Sequence, residues 1–184
     1  CLVGSEMCIR DSAYGDVPYF TEMVTTDQVN SLSRTPAQEI FNAIIAECDK
    51  LSTELPADYT KLGLDGIAPA ENGRVTCYAA LALKARAALY AASPLFNPEN
   101  NKDLWRRAAE ANKEVIETCT ANGFKLSKYS ELWGPNNWSN NEMIFVRRYN
   151  GNISTLEEYN FPMGVPGGNS GNCPTQNMVD AYEM

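Results

Sequence analysis

The sequence contains no histidine among its 184 residues. Without histidine, the chain cannot form a Ser-His-Asp or Cys-His catalytic system or a histidine-ligated metal site, and it lacks the most common general base near neutral pH. Two carboxylates could still act as acid and base, as in glycoside hydrolases. The absence weighs against an enzyme, and we expect no catalytic residue.

Positive charge and long apolar runs are also scarce. The chain has 15 Lys and Arg against 23 Asp and Glu, a net charge of −8, whereas nucleic acids and anionic membrane surfaces require a basic patch. No apolar run is long enough to span a membrane. Neither nucleic acid nor the membrane surface is therefore an expected direct partner, and neutral ligands stay open.

Cysteine pairs with the C-x-x-C spacing of zinc or redox sites are absent among Cys48, Cys77, Cys119 and Cys173. We expect no metal and no cofactor. The first three fall on apolar faces of predicted helices, where a free cysteine behaves as a small hydrophobic residue. Buried thiols are the favoured interpretation, and a single disulfide stays open.

Residues 1–12 read CLVGSEMCIRDS and show neither helical nor strand periodicity. The string looks like the translation of a transposon-type sequencing adapter, and it is left out of the prediction of the fold. We therefore expect the natural chain to begin near Ala13 and to be cut off at both ends. Cys1 is accordingly not taken as the acylated cysteine of a lipoprotein.

A helical scaffold is predicted over residues 35–120. Apolar residues recur at helical spacing over 35–55, and Thr35 and Gln38 predict a capping box at its start. The alanine-rich segment 75–92 predicts a helix packed on more than one face. A third helix is predicted over 102–120, paired with the second as an antiparallel hairpin similar to tetratricopeptide repeats. Four basic side chains on these helices are expected to be solvated or to extend along the surface towards water: Lys84, Arg86, Arg106 and Arg107.

The chain then becomes rich in Asn, Gly, Trp and Tyr over residues 124–172. Residues 142–149, EMIFVRRY, predict a short strand, and the glycine-rich stretch 163–172 predicts a flexible or turn-rich loop. Trp133 and Phe145 are expected to be core anchors. A last helix is predicted to begin near Pro174.

Six segments, taken in order, resemble one family. They are YGDVPYF at 14–20, GRVT at 73–76, ALALKARAALYAASPLFN at 80–97, Trp105 with Ala108 and Ala109, NNEMIF at 140–145, and PTQNMVDAYEM at 174–184. Together they resemble the SusD/RagB nutrient-uptake lipoproteins over nearly everything after Ala13. YGDVPYF itself is expected to be a packing and turn element.

The resemblance implies a mainly α fold, a tetratricopeptide-like helix-hairpin scaffold with a long irregular loop region and a short β element. It also implies a protein anchored by lipid on the outer surface of the outer membrane. Such proteins act with a TonB-dependent, SusC-like transporter and pass it oligosaccharides. The chain would be a part of such a protein, 13–184, without the anchor.

The loop-rich region is the predicted ligand face, because binding a sugar without cleaving it needs exposed aromatic rings and hydrogen-bonding side chains. Composition and loop context, not a family motif, suggest aromatic platforms at Trp138, Tyr149, Tyr159 and Phe161, and polar partners at Arg147, Asn150 and Asn152. Two alternatives to glycan binding stay open: a repeat scaffold that mainly binds proteins, and, less favoured, a two-carboxylate glycoside hydrolase.

Overall fold

The computed structural model of the chain describes residues 13–59, 74–132, 140–146 and 159–182. The chain divides into two compact units, Cys1–Val146 and Arg147–Met184. In the first unit the helices are α1 (Thr26–Val29), α2 (Ala37–Glu54), α3 (Cys77–Ala92), α4 (Lys102–Ala121) and α5 (Tyr129–Leu132). In the second unit, α6 spans Gln176–Asp180. The three long helices lie where the sequence predicts them, so the mainly α prediction is confirmed.

Helices α2, α3 and α4 pack as consecutive antiparallel neighbours. At one end of the first pair, the Gln38 side chain donates to the Ala91 carbonyl oxygen at 2.7 Å. At the other end, the Cys77 N–H donates to the Pro56 carbonyl oxygen at 3.3 Å. Because the start of each helix meets the end of the other, α2 and α3 run in opposite directions.

The second pair, α3 and α4, meets along the middle of both helices and at the end where α3 begins. Lys84 on α3 contacts Glu114 on α4, and the rings of Tyr78 and Phe124 meet with their centroids 4.9 Å apart. The predicted antiparallel hairpin of α3 and α4 is therefore present.

Helix α3 is the central helix, as its alanine content predicts. Small side chains allow the backbones of α2 and α4 to approach it from two sides. The interior is closely packed, and the rings of Phe41 and Phe96 meet edge to face at 5.1 Å. The buried residues of α3 are Tyr78, Ala80, Leu81, Ala85, Ala87, Ala88, Ala91 and Ala92.

The start of α2 differs from the predicted capping box. The helix begins at Ala37, and the Thr35 N–H donates to the Val17 carbonyl oxygen in an isolated antiparallel bridge. The Asp16 Oδ1 atom accepts the Ala37 N–H at 2.9 Å instead. Because its amide bonds to α3 and the loop after it, Gln38 is not part of a capping box. Contacts distant in sequence thus replace the local motif, and YGDVPYF serves as the predicted packing and turn element.

The strand predicted over residues 142–149 is wrong over its described part. Residues 142–146 form no strand, and side chains bond to backbone groups here. The Asn140 Oδ1 atom accepts the Glu142 N–H at 2.9 Å, and the Glu142 carboxylate accepts the N–H of Ser127, 15 residues earlier, at 2.8 Å. Phe145 is 52% exposed, so it is not a core anchor. Trp133 and residues 147–149 lie outside the described residues.

The cysteines and the last helix follow the sequence prediction. Cys48 and Cys119 are buried, Cys77 is half-buried and Cys173 is exposed, and none of these four forms a disulfide. Helix α6 begins close to Pro174, and the Thr175 hydroxyl accepts the Met178 N–H at its start. Within the described ranges, no helix combines the length and the apolar character needed to cross a membrane.

Candidate functional site

Two of the seven predicted ligand-binding residues, Tyr159 and Phe161, lie in the described part of the chain. The other five lie outside the described residues: Trp138, Arg147, Tyr149, Asn150 and Asn152. The candidate site is therefore built from the segment 159–172 of the second unit, referred to below as the Tyr159 loop.

Backbone hydrogen bonds close the Tyr159 loop at its base. The Asn172 N–H donates to the Tyr159 carbonyl oxygen at 3.0 Å, and the Ser170 N–H donates to the Phe161 carbonyl oxygen at 2.9 Å. Two tight turns form the tip of the loop. In them the Val165 N–H donates to the Pro162 carbonyl oxygen, and the Gly168 N–H donates to the Val165 carbonyl oxygen. The predicted turn-rich loop is thus present, and its two aromatic residues sit on its hydrogen-bonded base.

Gly171 provides the surface on which the Tyr159 ring lies. A Cβ atom added to Gly171 would come within 2.4 Å of Tyr159 Cδ1, a separation that real Cβ atoms do not show. Only glycine leaves room for the ring in this position. The ring therefore lies directly against the Gly171 backbone on one side, and 58% of Tyr159 is exposed to solvent.

The exposed face of the loop combines aromatic rings with amide groups. Phe161 is 44% exposed, and between the two aromatic residues lies Asn160, whose Oδ1 atom accepts the Asn172 Nδ2 at 2.9 Å. Each side-chain amide carries both donors and acceptors. Asn160 and Asn172 were not among the predicted site residues. The position of Asn160 between Tyr159 and Phe161 is the sequence feature that could have indicated it. Asn172, 12 positions later, becomes its neighbour only when the loop closes.

The Tyr159 loop carries no Asp, Glu, Lys or Arg in its sequence, YNFPMGVPGGNSGN. Such a surface offers stacking and uncharged hydrogen bonds, and it has no carboxylate pair with which to move a proton. In the described segments, no cluster of three or more acidic or cysteine side chains could hold a metal ion. The arrangement is thus suited to holding a neutral, hydroxyl-rich molecule.

No protein-family model matches the sequence, and no curated protein matches it either. Among solved structures, the chain is similar to a SusD-like protein from Bacteroides fragilis NCTC 9343, with a TM-score of 0.61 and 25% sequence identity. The similarity covers 80% of this chain and 26% of the other, so the chain spans about a quarter of that protein's length. The chain therefore has a SusD-like fold, which confirms the resemblance predicted from its sequence.

Proposed function

We propose that this chain belongs to a cell-surface protein that binds oligosaccharides for import and does not cleave them. The observation that carries the proposal is the pair of exposed aromatic residues, Tyr159 and Phe161, on a loop without charged side chains. The SusD-like fold supports the same role. In this proposal, the complete protein is lipid-anchored on the outer membrane and works with a TonB-dependent, SusC-like transporter.

The chemistry of the Tyr159 loop fits a sugar better than a charged or a flat apolar ligand. A pyranose has an apolar C–H face that can cover an aromatic ring and a rim of hydroxyls that can bond to the amides of Asn160 and Asn172. An aromatic contact contributes only about 0.5–1.5 kcal/mol beyond the area it buries. Several such contacts must act together, and the residues proposed to add to them are Trp138, Arg147, Tyr149, Asn150 and Asn152.

Weak contacts suit a protein that must release its ligand to a transporter. Gly171 contributes because it leaves room for the Tyr159 ring against the loop backbone, and packing on one side of the ring lowers the entropy lost on binding.

Affinity electrophoresis of the 184-residue chain through gels that contain single polysaccharides tests the proposal. We expect retardation by at least one glycan. Tyr159→Ala and Phe161→Ala should each weaken retention by about 2- to 10-fold, the range that corresponds to one aromatic contact. The matched control is Tyr14→Ala, which removes an aromatic residue that is 76% exposed in the first unit and should leave retention unchanged.

Three outcomes contradict parts of this proposal. Retention that survives both loop variants would rule out the Tyr159 loop as the sugar site. A chain that migrates freely in every gel of the panel would rule out glycan binding. Release of new reducing ends, abolished by replacing one carboxylate, would show that the protein is a hydrolase.

A further inference from the structure

Cys77 and Cys119 lie at the same level of the antiparallel hairpin formed by α3 and α4. The side chain of Asn112 on α4 reaches the Ala85 carbonyl oxygen of α3 at 3.5 Å, which fixes the register. Cys77 lies eight residues before Ala85, and Cys119 lies seven residues after Asn112. Because each residue advances a helix by about 1.5 Å, the two cysteines reach the same end of the hairpin.

At that end of the hairpin, groups adjoining the two cysteines are in contact. The Phe124 N–H donates to the Cys119 carbonyl oxygen at 3.0 Å, and the Phe124 ring contacts the ring of Tyr78, the neighbour of Cys77. Burial raises the pKa of both thiols, and a charge on Cys77 raises the pKa of Cys119 further. The two thiols therefore lie close enough for the charge of one to affect the ionisation of the other.

We propose that Cys77 and Cys119 form a redox-modifiable pair that closes into a disulfide under oxidising conditions. The two S–H bonds break, one S–S bond forms, and the two electrons and two protons pass to an acceptor disulfide, small-molecule or protein, which is reduced to two thiols. The bond joins the open end of the α3–α4 hairpin, opposite the turn that connects the two helices.

The chemistry predicts a slow reaction and a stable product. Only the thiolate attacks a disulfide, and raised pKa values keep both sulfurs protonated at neutral pH. Once formed, the bond closes a long segment of chain, which restricts the unfolded ensemble and raises the melting temperature. The pair thus behaves as a structural lock rather than as a fast sensor.

The test uses the 184-residue chain with Cys1→Ser, Cys8→Ser and Cys173→Ser, which leaves three thiols. The folded protein is incubated with oxidised glutathione at mildly alkaline pH, alkylated, digested and analysed by mass spectrometry. We expect a peptide that links Cys77 to Cys119, alkylated Cys48, and a Tm several degrees above that of the reduced protein. Cys48 is an internal control, because its neighbour Asp49 contacts Lys84, two helical turns from Cys77.

A denatured sample shows whether the link between Cys77 and Cys119 depends on the folded structure. In urea the pairing should follow loop length, with the shortest loop, Cys48–Cys77, favoured, whereas in the folded protein the Cys77–Cys119 pair should dominate. Full alkylation of all three thiols, a link that contains Cys48, or a lasting glutathione adduct on Cys77 would each overturn the proposal. The main measurement needs no change at Cys77 or Cys119. Cys77→Ala and Cys119→Ala, checked for folding by circular dichroism, should each abolish the link.

Discussion

At the scale of single residues, Lys84 joins three helices. Its Nζ atom lies 2.5 Å from Asp49 Oδ1 on α2 and 2.6 Å from Glu114 Oε2 on α4, and its side chain is only 14% exposed. Burial lowers the pKa of Lys84, but its hydrogen bonds to the two carboxylates and their charges outweigh burial, so the pKa is raised. The expectation that Lys84 is solvated or extends along the surface towards water was wrong, because periodicity cannot show which helices meet.

Replacing Lys84 with methionine tests this ion triad. Lys84→Met keeps the length of the side chain but leaves Asp49 and Glu114 without the cation between them. We expect the free energy of unfolding to fall by about 1–3 kcal/mol, since partly buried charge-assisted hydrogen bonds are lost. Urea unfolding at neutral pH measures the change.

Lys113→Met is the matched control, because Lys113 forms an exposed pair with Glu117 at 3.6 Å within α4. It should lower the free energy of unfolding by less than about 0.5 kcal/mol. Equal effects of the two variants would show that Lys84 contributes no more than a surface charge.

At the scale of single elements, the Asp16 carboxylate caps α2 from 21 residues away. A carboxylate at a helix N-terminus bonds to a free N–H and interacts favourably with the helix dipole. Asp16→Ala should therefore lower the free energy of unfolding by about 0.5–2 kcal/mol, measured by urea unfolding. Glu22→Ala, which removes an exposed carboxylate of the same N-terminal segment, should change it little. Equal stability of the two variants would show that the Asp16 cap does not stabilise the fold.

The sequence predicted helices better than it predicted their ends and the regions between them. Apolar periodicity and alanine content placed α2, α3 and α4 within about two residues, because burial of one face determines such helices. The cap of α2 was missed because Asp16 is close to Ala37 only after folding. The strand predicted over residues 142–149 is absent from 142–146, where the Asn140 side chain accepts the Glu142 N–H and the Glu142 carboxylate accepts the Ser127 N–H. Apolar alternation does not reveal such contacts.

At the scale of the whole molecule, the sequence predicted exposed aromatic residues in the loop region but not the geometry of the loop. Exposed aromatic residues in an asparagine-rich loop region were predicted, and Tyr159 and Phe161 are exposed. The roles of Gly171 and Asn172 could not be predicted, since both depend on the hydrogen bonds that close the loop. Composition identifies the groups that a ligand could contact, whereas the loop closure decides which of them are neighbours.

The whole first unit should lose stability at alkaline pH under reducing conditions. Four groups at the interfaces of α3 have raised pKa values: Cys77, Tyr78, Lys84 and Cys119. Burial is the main cause for the two thiols and for the tyrosine, because it disfavours their charged forms. A group whose pKa is raised by folding contributes its full stabilisation below its ordinary pKa. This stabilisation is lost as the pH rises through the pKa of the group in the folded protein.

The decline should begin near pH 9, the ordinary pKa of the thiols being 9.0, and should steepen above the ordinary values of 10.0 for Tyr78 and 10.5 for Lys84. Urea midpoints measured with a reductant across this range test the prediction. The double variant Cys77→Ala with Cys119→Ala should postpone the onset, because the first two titrating groups are gone and the tyrosine and the lysine remain. A midpoint that stays constant above pH 9 in the reduced protein would show that burial of these thiols does not couple their titration to folding.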